Sequence, residues 1–326
     1  MRLASKLKMY HKWWKAWGTL PVAPWVAAAA YYRASQFGEA AKLYRIGLGI
    51  YPSHPAALSA SLDLAYCLFK SGAIEEAHTE LKSIVGRSPK SREAYIRLAA
   101  LQMWLGQSLE AAWTMRRALR NVDADGELVG GFLLAVLENG GPKYLRNEAM
   151  GEAEKLLAAG VSHPKLSVAL AKQKIKEGDA GLGRIELESL ANENNASRDA
   201  VLAYSEVLVQ EGKIAQSRQH LRRLMTVSSE HPRVLSLLAE SYLKSGAFYN
   251  TEYAVQLATS ACQKSNWVSP REMHVLAEAY FHAGDKIAAH LVASKAKDAG
   301  NKLLGTYPEA KNLDRLIESV STGTQA

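Results

Sequence analysis

Gly72, Gly106 and Gly140 stand 34 residues apart in this 326-residue chain, and so do Gly178, Gly212 and Gly246. The steps from Gly140 to Gly178 and from Gly246 to Gly284 are both 38, so two four-residue insertions reconcile the series. Ser35 holds the same place in an earlier unit, 37 residues before Gly72. Two columns of small residues move with the glycines. Seven positions before them come Ala28, Ala65, Ala99, Leu133, Ala171, Ser205, Ala239 and Ala277. About five positions after, allowing for the insertions, come Ala40, Ala77, Ala111, Ala149, Gly183, Ser217, Ala254 and Ala289. A period of this length marks tandem supersecondary units, each unable to bury its apolar face except against a copy of itself.

Within a unit the spacing is helical. Leu98, Leu101 and Leu105, then Met115 and Leu119, recur at steps of three and four. Small residues on facing sides let two helices approach closely, and glycine takes the left-handed turn between them at little cost. This pattern resembles the tetratricopeptide repeat, a helix–turn–helix unit of 34 residues, in a bacterial-type scaffold. The resemblance covers residues 21–303, with units starting near 21, 58, 92, 126, 164, 198, 232 and 270. It implies an all-α solenoid of about eight units in a right-handed superhelix. Residues 304–320, with Leu313, Leu316 and Ile317, read as a closing helix, and 321–326 as a tail.

Composition agrees with a packed chain: 48% hydrophobic and 22% charged residues exclude disorder. Cys67 and Cys262 are the only cysteines, too few for a disulfide scaffold or a four-thiolate zinc site. The net charge of +8 is concentrated at the start. Residues 1–17 carry Arg2, Lys6, Lys8, Lys12 and Lys15 with no acid, leaving about +3 for the rest, so no nucleic-acid partner is expected.

That arm, residues 1–20, reads as an amphipathic helix. Leu3, Leu7, Tyr10, Trp14 and Trp17 fall on one stripe, with Trp13 beside it and Lys8, Lys12 and Lys15 opposite. Two readings stay open. The stripe caps the first hairpin, or its indoles and ammonium groups meet an anionic membrane or a partner. A signal sequence over residues 16–32 is disfavoured, because cleavage there would remove the first helix of the first unit. The expectation is a cytoplasmic chain, peripheral to the inner membrane if the arm binds lipid.

The resemblance also implies a ligand groove on the concave face, formed by the first helix of each unit. Mapped onto this sequence, its first half is apolar and aromatic: Trp25, Tyr32, Leu62, Tyr66, Phe69, Ile96, Met103 and Trp104. Its second half is polar, with Lys172, Lys176, Glu206, Glu240, Lys244, His274, Glu278 and His282. A peptide or helix with a hydrophobic anchor and a charged tail would complement it. His274, Glu278 and His282 form one helical stripe, but the two histidines are two turns apart, about 12 Å, too far for one ion. The cluster Arg218, His220, Arg222 and Arg223 reads as outer surface. The glycines of 178–183 follow no strand and lack a phosphate-binding lysine. With no cofactor site and no catalytic constellation, the reading is a non-enzymatic scaffold binding a protein partner, in its narrower form an assembly factor for an envelope, polysaccharide or secretion complex. The alternative is an accessory subunit holding a polysaccharide or small ligand on the aromatic wall.

Overall fold

The computed structural model describes residues 23–138, 141–228, 231–304 and 307–322, and among them are seventeen α-helices and no strand. The helices alternate as A and B partners of eight hairpins. These are α1 (Ala23–Arg33) with α2 (Phe37–Ile50), α3 (Ala57–Lys70) with α4 (Ile74–Arg87), and α5 (Arg92–Trp104) with α6 (Ser108–Leu119). Next come α7 (Gly126–Glu138) with α8 (Lys143–Ala158), α9 (Pro164–Glu177) with α10 (Ala180–Ala191), and α11 (Arg198–Gln210) with α12 (Ile214–Ser228). Then follow α13 (Pro232–Leu243) with α14 (Thr251–Lys264) and α15 (Pro270–His282) with α16 (Lys286–Leu304), before α17 (Ala310–Thr322). The backbone separates into two compact units, residues 1–98 and 99–326. The arm over residues 1–20 lies outside the described residues, as does Gly140. No described helix is long and apolar enough to cross a membrane.

Both small-residue columns are buried throughout, and they face each other. Ser217 Oγ donates to the Ser205 carbonyl at 3.1 Å, one column touching the other inside the sixth hairpin. At the equivalent place in the fifth, a Cβ on Gly183 would lie 2.5 Å from the Ala171 carbonyl oxygen. Several helices begin where local chemistry supplies acceptors or tolerates a missing donor. Pro164, Pro232 and Pro270 occupy first-turn positions, Ser197 Oγ accepts from Ala200 N at 3.2 Å, and Asn250 Oδ1 accepts from Tyr253 N at 2.9 Å.

The turn glycines Gly72, Gly106, Gly178, Gly212, Gly246 and Gly284 all have positive φ. Ser35, in the same place, is held at φ 57°, where its Cβ crowds the following carbonyl. Ser35→Gly is therefore expected to stabilise by about 0.5–1 kcal/mol, the left-handed cost of roughly 1–2 kcal/mol less glycine's greater loss of chain entropy. A thermal unfolding midpoint that stays put or falls would show that the turn is not strained.

The fourth hairpin departs from the others. Its first helix carries Gly126 and Gly130, and α7 lies so close to the next A helix that a Cβ on Gly130 would sit 2.5 Å from Leu166 N. At the far end, α17 covers the last hairpin with Leu313 fully buried and Lys297 paired to Asp314 at 2.5 Å.

Candidate functional site

In the first unit the A helices α1, α3 and the start of α5 present an aromatic wall. Tyr32, Tyr66, Phe69 and Ile96 are half-buried there. Tyr32, Tyr66 and Phe37, the first residue of α2, form a mutual cluster with ring centroids 5.5–6.0 Å apart. Two residues expected in this wall are elsewhere. Trp25 is 7% exposed, its indole lying over Gly47 and edge-on to Tyr51 and His54. Leu62 is 8% exposed, and its carbonyl accepts from Arg97 Nη1 at 3.0 Å. Both are core residues; one position along a helix turns a side chain by about 100°, enough to move it from wall to interior.

Polar groups of the same unit engage one another. Tyr44 donates its hydroxyl to Asp63 at 3.4 Å, and Arg97 Nε donates to Glu93 at 2.6 Å. Burial raises the Asp63 carboxyl, while Arg97 and the Tyr44 hydrogen bond oppose that shift. Burial, with Asp63 adding to it, pushes the Cys67 thiol up to about 12, so it stays protonated and a poor nucleophile.

The second unit is built differently. On its inner face Glu206 of α11 is ringed by three cations: Lys172 at 3.2 Å, Arg233 at 2.9 Å and Arg271 at 3.1 Å. Arg271 also pairs with Glu138, and Lys172 lies 3.5 Å from the same carboxylate. Five charges from α7, α9, α11, α13 and α15 thus form one network, and Arg271 spans 133 residues of sequence to reach Glu138. Burial opposes ionisation of both glutamates, but their cations win and hold both carboxyls below the ordinary range. Burial likewise opposes the charge on Lys172, and Glu206 and Glu138 outweigh it. Glu138, Arg233 and Arg271 were not among the residues read from the sequence, although Glu138, Lys172 and Glu206 follow one another at intervals of 34.

The remaining expected groove residues divide between braces and a polar rim. Trp104 is half-buried, donates its indole N–H to the Lys264 carbonyl at 2.8 Å, and meets His231 edge-on at 4.8 Å. Burial, then repulsion by Arg198 and Arg233, pushes His231 down to about 3, so a neutral ring faces the indole. Trp104 is therefore committed to an internal contact; Met103 beside it is half-buried. Lys176 donates to the Leu137 carbonyl, and Lys244 lies 3.9 Å from Glu240. His274 Nε2 is 3.5 Å from Glu278, and its Nδ1 is 3.5 Å from the Tyr307 hydroxyl. His282 is exposed and meets Tyr249, hydroxyl to Nδ1, at 3.3 Å. Among the described residues no cluster of three or more metal-binding side chains occurs. One expectation is corrected outright: Arg218, read as outer surface, is 5% exposed. It folds inward because Ser241 and two aromatic rings receive its guanidinium.

Residues 31–101 match the family model described as tetratricopeptide repeat. Those residues carry tetratricopeptide repeats. Such arrays generally act as protein–protein interaction scaffolds and are typically non-catalytic. Human IFIT1, in a dimer with m7Gppp-AAAA, is similar in structure with a TM-score of 0.52 and 14% identity over 85% of this chain and 68% of that one. The APC/C hetero-tetramer Cut9–Hcn1 contains a chain with a TM-score of 0.52 and 13% identity over 91% of this chain and 55% of that one. A tetratricopeptide repeat protein from Parabacteroides merdae aligns over 92% of this chain and 98% of that one at 12% identity, with a TM-score of 0.40. At these identities the likeness to IFIT1 and to the Cut9–Hcn1 chain is one of fold alone. No curated protein matches the chain by sequence.

Proposed function

We propose that this repeat protein is a non-catalytic scaffold that recruits a protein partner on the A-helix wall of its first unit. The observation that carries this reading is the half-buried cluster of Tyr32, Phe37 and Tyr66, flanked by Phe69 and Ile96. Aromatic side chains partly withdrawn from water supply apolar area at small entropic cost, the character of an interface anchor. The inner charges of the second unit are paired with one another, and Lys176, Lys244, Glu278 and His282 form a polar surface of that unit. The arm over residues 1–17 is proposed to place the scaffold on an anionic membrane surface.

The test compares proteins captured by the full chain with those captured by a Tyr66→Ala/Phe69→Ala variant. Loss of two anchors is expected to weaken the specific partner at least about thirtyfold; equal recovery would remove the wall from the account. In parallel, deletion of residues 1–17 is expected to abolish sedimentation with anionic vesicles while sparing partner capture. Unchanged sedimentation would show that the arm does not hold lipid.

A further inference from the structure

The turn side of the second unit holds a cleft of about 420 Å³ between the α11–α12 turn and the α13–α14 loop. Lys213, Arg218 and Lys244 line it, and none of its lining residues is acidic. Arg218 is the unusual member. Its Nε donates to Ser241 Oγ at 3.2 Å, and its Nη2 donates to the carbonyls of Ser241 and Phe248, the latter at 3.3 Å. The guanidinium also lies over the Tyr242 and Phe248 rings at 4.3 and 5.2 Å. Carbonyl dipoles and ring faces orient a cation without neutralising it. Among the described residues no carboxylate pairs with Arg218, and its Nη1 makes no hydrogen bond. A buried unit charge without a counter-ion is costly, and burial accordingly pushes the guanidinium below its ordinary value, against Tyr242 and with Arg222 adding to it.

A second feature of the cleft has the same sign. Ile214, Ala215 and Gln216 form the first turn of α12 and line the cleft. Their backbone N–H groups have no acceptor among the described residues, while Ser217 N already bonds Lys213 O at 3.1 Å. The residue before them is Lys213, whose side chain cannot cap a helix start. Three donors and the positive end of a fifteen-residue helix therefore meet the buried guanidinium in one concavity. Phe248 stands beside it, 58% exposed.

The geometry points to an oxyanion site of the phosphate class in this cleft, with Arg218 as the buried charge, the α12 N–H groups as donors, and Lys213 and Lys244 as the outer cations. Lys213 lies 2.6 Å from Glu211 and Lys244 lies 3.9 Å from Glu240, exposed pairs that an incoming dianion can displace. Phosphate reaches such a cleft either as the free ion or as a monoester on an organic group, and Phe248 gives the second source a ring to rest on.

The full-length chain is titrated with inorganic phosphate and, separately, phenyl phosphate, following the thermal midpoint against sodium chloride of equal ionic strength. Wild type is expected to be stabilised by phosphate beyond the chloride control, by mass action on the native state. The variant Lys213→Glu/Lys244→Glu, with wild-type circular dichroism, is expected to bind about tenfold more weakly. A larger shift with phenyl phosphate assigns the organic source; equal shifts assign the free ion. Because Arg218→Gln alters a buried residue, the surface pair is the deciding variant. No stabilisation beyond chloride, or equal stabilisation of wild type and the surface variant, overturns the site.

Discussion

Replacing Glu206 with alanine is expected to destabilise the second unit by about 3–5 kcal/mol, the cost of leaving buried cations without their partner. Lys172, Arg233 and Arg271 all converge on this carboxylate. Glu138 remains in the variant, but among the described residues it touches only Lys172 and Arg271, so Arg233 loses the one carboxylate it pairs with there. Were these ordinary exposed ion pairs, the loss would be about 0–1 kcal/mol. The side chains of Glu206 and Arg233 are 16% and 12% exposed, which places them in the costlier class. A thermal midpoint lowered by roughly 8–15 °C is the expected reading for a unit of this size; a shift under about 2 °C would show that solvent already screens the network.

The same network gives the protein an acid limit. Both glutamates have folded values below the ordinary 4.5. A carboxyl depressed by folding contributes stability that is fully present above its unfolded value and is lost as pH falls through the folded one. Stability is therefore expected to hold down to about pH 5 and to decline progressively below it. In Glu206→Ala that decline should be shallower, because one of the two linked protons has gone. Unfolding midpoints measured from pH 7 to pH 3 on both proteins check the sign.

Packing at a period was legible in the sequence, and cross-array electrostatics was not. The columns through Ala65 and Ala77 show in one dimension because each hairpin repeats the same close helix contact, and only small side chains fit there. Ser35 was readable as a turn residue for the same reason, since its place in the series demanded the backbone that its φ of 57° adopts. The partners of Arg271 follow no local rule. Glu138 is four hairpins away, and it meets Arg271 only because the A helices from α7 to α15 share one inner face. Trp25 and Trp104 were not legible for a third reason. Large aromatics on A helices satisfy either an open wall or a bracing contact, and a hydropathy pattern does not separate the two. Tertiary packing alone sets Trp25 over Gly47 and the Trp104 indole on the Lys264 carbonyl.

Gly130→Ala is expected to cost about 3 kcal/mol, although alanine is the better helix former by about 1 kcal/mol. The added Cβ would lie 2.5 Å from Leu166 N, 2.7 Å from Lys165 C and 2.8 Å from Leu166 Cα. All three are backbone atoms of α9, so no rotamer change can make room, and α7 and α9 must separate. Separation would loosen the cluster of Val129, Ala153 and Leu166 at that junction. It would also draw Glu138 away from Lys172, coupling the packing defect to the ion network. Gly151, inside α8, provides the internal comparison, since a Cβ there meets nothing within 4 Å. Gly151→Ala is expected to stabilise by about 0.5–1 kcal/mol through helix propensity alone. The two substitutions are chemically identical and sit on neighbouring helices, so opposite signs in their unfolding midpoints isolate the close approach of α7 to α9. If Gly130→Ala also stabilised, that approach would be wider in solution than a glycine-only contact allows, and the fourth hairpin would pack like its neighbours.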